Sequence, residues 1–211
     1  MSRTIDLKEL EKKAFRSTFQ DGLLDMFVGL VVMAFALIPL LNRLGDFWSS
    51  MVFLPIYLLG WLGFQAGKKH ITLPRMGAIQ PGPARKARLS KITGIIALAI
   101  GAFAVVGLVV IALQQANVWL MDWLFPGLLA LLALAGFSAG AYFLDLPRLY
   151  GYGVLVGLAA PIGELLHRSA GASHHGWPIT FGVAGAVILL VGLCLLIRFL
   201  RTYPVAEEVG Q

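Results

Sequence analysis

A single cysteine, Cys194, stands inside an apolar run of this 211-residue chain. It excludes an intrachain disulfide and leaves the redox compartment open. Charge is also scarce. Asp, Glu, Lys and Arg make up 13% of the residues, against about 25% in average soluble domains. The first 21 residues, MSRTIDLKELEKKAFRSTFQD, are charged throughout and lack an A-x-A-like site, so a cleaved secretory leader is not expected. Glycine-rich phosphate loops, Cys-x-x-Cys and His-Glu-x-x-His are absent, as is a convincing Ser-His-Asp or Cys-His arrangement. The enzyme classes that those motifs announce are therefore disfavoured.

Apolar sequence takes the place of charge. Hydrophobic residues make up 58% of the chain, and the mean hydropathy is +0.81. The 24 glycines agree with this, because membrane helices carry more glycine than soluble ones. A helix needs about 20 mostly apolar residues to cross the hydrocarbon core. Six such runs occur, at 22–41, 47–66, 92–113, 123–144, 149–166 and 178–200. Only helices or closed barrels satisfy their backbone groups in lipid, and the period-two alternation of a barrel is missing. The pattern predicts an all-α polytopic membrane protein. It would be a six-helix bundle forming one membrane domain over residues 1–211, with a short amphipathic helix at its N-terminus.

Lys and Arg set the orientation. Fifteen of the 17 flank one side of the six runs; Arg43 and Arg168 alone lie on the other. Both termini are thus expected in the cytoplasm of a bacterial-type plasma membrane. The aromatic residues give the same answer: Trp48, Trp119, Trp123 and Trp177 fall at outer ends, and Tyr142, Tyr150, Tyr152 and Tyr203 at inner ends. Amphipathic rings favour these interfaces. The net charge of +6 is mostly topogenic, and no nucleic-acid motif accompanies it, so nucleic acid is not an expected partner.

Two cytoplasmic segments invite a role. Residues 1–21 read as an amphipathic arm lying in the interface, with Leu7, Leu10, Ala14 and Thr18 on one side. The basic loop 67–91 contains Leu73-Pro74, where an extended or turn segment is expected. It ends in Arg85, Lys86, Arg88 and Lys91, candidates for contact with anionic lipids. FQDGLLDMFVG, followed by ITLPRMG ahead of that basic stretch, resembles a group of small multi-pass bacterial membrane proteins of uncharacterised function. The resemblance covers about residues 15–91 and implies no activity, cofactor or site.

Glycines four residues apart suggest close helix packing. Gly136 and Gly140 lie in the fourth run, and Gly153 and Gly157 in the fifth. The link DLPR makes these runs antiparallel neighbours, so Gly140 is expected against Gly153 and Gly136 against Gly157. Pro55 and Pro161 are expected to interrupt the second and fifth runs.

Ionisable residues inside the runs are few. Asp25 lies about one turn into the first, close enough to reach interfacial water. Glu164 and His167 share a helix face near the outer end of the fifth, and His174 and His175 follow. Carboxylate and imidazole suit a transition metal, which makes Glu164, His167, His174 and His175 a candidate metal set. The lack of a second motif favours the competing reading, in which Glu164 pairs with Arg168 and the histidines are exposed. No cofactor is therefore expected. Hydrophilic transport needs polar lining at mid-membrane, and the third and sixth runs are almost wholly aliphatic. These features favour a non-enzymatic accessory or scaffold subunit that contacts lipid and other membrane subunits or itself. A small transporter or metal-linked protein using Glu164 is the alternative, with an enzyme acting on a lipidic substrate as a third reading.

Overall fold

The computed structural model describes residues 19–41, 53–76 and 121–204, among which every regular element is helical. Helix α1 spans Leu23–Leu40. Helix α2, Phe53–Gly67, runs on through a π turn, Lys68–Thr72, into the one-turn α3, Leu73–Met76. Helices α4 (Met121–Leu144) and α5 (Arg148–Ala170) follow, then a short turn, Ser173–Gly176, and α6, Trp177–Thr202. Among the described residues, three stretches are long and apolar enough to cross a membrane: Trp123–Leu144, Arg148–Ala170 and Ser173–Thr202. Leu23–Leu37 is a shorter apolar stretch. The run 92–113, residues 1–18 of the arm, and Arg85, Lys86, Arg88 and Lys91 lie outside the described residues.

The chain divides into two compact units, Met1–Pro81 with Gly182–Gln211, and Gly82–Phe181. In the first, α1 and α2 meet through aromatic rings. Phe27 lies edge-on to Tyr57 at 5.6 Å and to Trp61 at 6.0 Å. On its other side α1 meets α6 by backbone. A Cβ added at Gly29 would stand 2.7 Å from the Leu189 nitrogen, one at Gly185 2.8 Å from the Met33 nitrogen, and one at Gly192 2.7 Å from the Met26 nitrogen. Real Cβ atoms do not approach that closely, so these glycines set the separation of the two helices. Glycine recurs at a spacing of seven on both sides of the contact, at Gly22, just ahead of α1, and Gly29, and at Gly185 and Gly192 on α6. Ala34, Ala36 and Ile188 are buried.

In the second unit α4 ends at Asp145, whose φ of 57° is left-handed, a conformation that Asp tolerates better than most residues. Leu146 is buried behind it, and α5 returns along α4. Only the α5 glycines lie in this contact. A Cβ at Gly153 would stand 2.9 Å from Phe137 Cβ, and one at Gly157 3.1 Å from Leu134 Cγ. Gly140 has only Leu149 Cδ1 at 3.6 Å, and Gly136 has no atom within 4 Å. Glycine therefore receives leucine and phenylalanine rather than another glycine.

Leu73 is not extended. Its φ of −58° and ψ of −45° are α-helical, and its N–H reaches back to the Lys68 carbonyl. A proline ring ordinarily clashes with the carbonyl of the preceding turn. The π turn widens the spiral just before Pro74, so the chain stays helical across the dipeptide. Pro55 interrupts nothing, because it falls in the first turn of α2, where an N–H has no helical acceptor. Helix α5 likewise runs continuously past Pro161.

Candidate functional site

Ionisable side chains gather at two places. The first is the end of α5. Gly171 closes that helix in the left-handed conformation, with φ of 65°, and donates to the His167 carbonyl. The chain then turns through His174 and His175, both left-handed at φ of 51° and 55°. Such geometry costs a residue with a Cβ about 1–2 kcal/mol. Docking against α5 offsets it. A Cβ at Gly163 would stand 2.8 Å from both the His175 carbonyl oxygen and Trp177 Cδ1, so only glycine lets the turn lie flat on the helix.

That docking delivers His175 to Glu164. The Glu164 carboxylate is buried, accepting from Arg168 Nε at 2.7 Å and from His175 Nδ1 at 2.8 Å. It does not snorkel into water. The Arg168 guanidinium lies 5.1 Å from the Trp123 ring centre. His167 Nδ1 is 2.6 Å from the Ala172 carbonyl. A carbonyl only accepts, so this nitrogen carries the proton. The His167 and His175 rings sit 4.7 Å apart, each with Nδ1 engaged. His174 is exposed beside them. Among the described residues, no group of three or more His, Cys, Asp or Glu is placed to hold a metal ion.

The second cluster lies where α1 begins, and sequence reasoning missed it. Asp21 is fully buried. Its Oδ1 accepts from the Leu23 N–H at 3.2 Å, capping α1. Its Oδ2 accepts from Lys68 Nζ at 2.6 Å and from the Thr72 hydroxyl at 2.5 Å. Gly22, with φ of +73°, makes the reversal that sends the Asp21 side chain back over the helix start. Lys68 and Thr72 are the two ends of the π turn. Lys68 also lies over the rings of Phe19, at 4.9 Å, and Phe64, at 5.6 Å. Asp25, one turn further along α1, is fully buried as well and does not reach interfacial water.

The two motifs FQDG and KKHITLPRMG thus meet in space. The only sequence signal for this was an Asp placed directly ahead of an apolar helix, the position of an N-cap. Cys194, within the apolar run of α6, is exposed on the helix surface. No protein-family model, curated protein or solved structure matches the chain, so its role is argued from these residues alone.

Proposed function

We propose that the chain is an integral protein of a bacterial-type plasma membrane that crosses it six times with both termini cytoplasmic. In this reading it is a non-enzymatic accessory or scaffold subunit of a membrane assembly. One observation carries the proposal: the long helices turn large apolar side chains outward. Leu59 is 68% exposed, Leu131 65%, and Leu190 61%. Soluble monomers rarely present contiguous apolar faces of this kind, and lipid or partner helices would cover them. The buried carboxylates Asp21 and Glu164 lie towards helix ends and are held by neighbouring side chains, as suits structural roles. Arg85, Lys86, Arg88 and Lys91 are assigned to anionic lipid at the cytoplasmic face by their charge pattern alone.

Reporter fusions at residues 115 and 211 should read on opposite sides of the membrane. Extraction in mild detergent at native expression should bring larger membrane proteins with the chain. Recovery as a lone monomer would refute the accessory role, and ligand-dependent thermal stabilisation would put transport in its place. Protein purified without a His-tag should carry less than one transition metal per chain. Stoichiometric metal that is lost in His167→Ala would make Glu164 and its histidines a metal site.

A further inference from the structure

The last two and a half turns of α6 border a shallow, open depression of about 320 Å³, lined by Cys194, Ile197, Arg198, Arg201 and Thr202. Their spacing of three, four, seven and eight residues places all five on one helix face. The face changes character along its length. Cys194 and Ile197 are exposed and apolar, and Arg198 and Arg201, also exposed, lie nearer the C-terminus. From Cys194 to Arg201 is about 10 Å of helix, the scale of the step from upper acyl chain to headgroup.

Neither arginine forms an ion pair with a carboxylate among the described residues, in contrast to Lys68 and Arg168. The Thr202 hydroxyl donates to the Arg198 carbonyl at 2.8 Å, which leaves its oxygen able to accept. Guanidinium groups bind phosphate through paired N–H donors. Arginines held above an apolar wall therefore match a ligand with an anionic phosphate and a hydrocarbon tail.

We propose that this face is a binding site for one acidic phospholipid. The phosphate sits between Arg198 and Arg201, and the acyl chain runs along Ile197 and Cys194. The placement in the cytoplasmic leaflet rests on the topology proposed above, whereas the affinity does not. Lipid binding to the isolated chain and reporter orientation can thus fail separately.

The test is native mass spectrometry of the full chain released from nanodiscs of equal phosphatidylglycerol and phosphatidylcholine. The wild type should retain one phosphatidylglycerol in preference to phosphatidylcholine. Loss of each arginine should weaken retention about fivefold, so Arg198→Gln/Arg201→Gln should abolish the preference while leaving the melting temperature unchanged. Arg43→Gln/Lys69→Gln, which removes the same charge at residues given no lipid contact, should keep it. Ile197→Ser should reduce retention of long-chain lipid more than of short-chain lipid. Equal retention by the arginine variant, or equal loss in the charge-matched control, would overturn the site. Full competition by glycerol 3-phosphate at the lipid's own concentration would also overturn it, since the depression would then read only a phosphate.

Discussion

Asp21 and Glu164 are both buried carboxylates with a cation within 2.7 Å, yet they are built differently. Glu164 takes Arg168 from its own helix, four residues on, and His175 from the turn that follows. Its partners remain 40% and 60% exposed. Asp21 takes Lys68 and Thr72 from a segment 47 and 51 residues away, and Lys68 is only 20% exposed. Water screens the first set and hardly reaches the second. Loss of Glu164 would leave Arg168 and His175 hydrated, whereas loss of Asp21 would strand an ammonium against two aromatic rings and a hydroxyl without its acceptor. A carboxylate with local partners secures one helix end; a carboxylate with distant partners ties two chain segments together.

Asp21→Ala breaks this contrast most directly. Removing one partner of a buried pair costs about 3–5 kcal/mol, and the cap of α1 goes with it. The melting temperature in detergent should fall steeply, more than for any substitution at Glu164. Asp21→Asn keeps the capping oxygen and should recover part of the loss. If Asp21→Ala melts like wild type, the long-range tie carries no stability.

A smaller effect is expected where α1 meets α6. Gly185→Ala places a methyl group against the Met33 nitrogen and the Gly29 carbonyl, and overpacking of this kind costs about 1–3 kcal/mol. Gly136→Leu, with open space around it, should leave the melt unchanged. Equal destabilisation by the two substitutions would show that glycine spacing, not the α1–α6 approach, governs packing.

Glu164→Gln should have the mildest effect. Ion pairs with exposed partners contribute about 0–1 kcal/mol, and the amide can still bond Arg168 or His175 by one atom. Protease cleavage within 171–176 should rise slightly as the left-handed turn loses its anchor. A collapse in stability as large as that of Asp21→Ala would erase the distinction between the two sites.

Hydropathy made the helices over 123–144, 149–166 and 178–200 legible, because runs of about twenty mostly apolar residues have few other fates. The Glu164–Arg168 pair was legible for the same local reason, a spacing of four on a helix. His175 was not. Its approach to Glu164 needs two histidines in the left-handed region, which no residue preference announces. The α1–α6 contact is not announced by the four-residue spacing of small residues, because Gly22 and Gly29, like Gly185 and Gly192, are seven apart. Asp21 was hidden by distance, since its partners lie beyond the whole of α2. Leu73-Pro74 misled because the rule for residues before proline assumes an ordinary α turn upstream, and a π turn stands there instead.

That π turn also fixes a phase. One residue more per hydrogen-bonded loop rotates everything after it relative to a continuous α-helix, by roughly the 100° that a single residue subtends. Deleting one residue between Lys68 and Thr72 would restore ordinary winding, yet it would swing Thr72 and Arg75 to another side of the rod. The segment leading to the basic loop is therefore indexed to Asp21 like a key cut to one notch. Insertions or deletions within these five residues should matter more than changes to their chemistry, because length alone decides which way the extension of α2 beyond Gly67 faces.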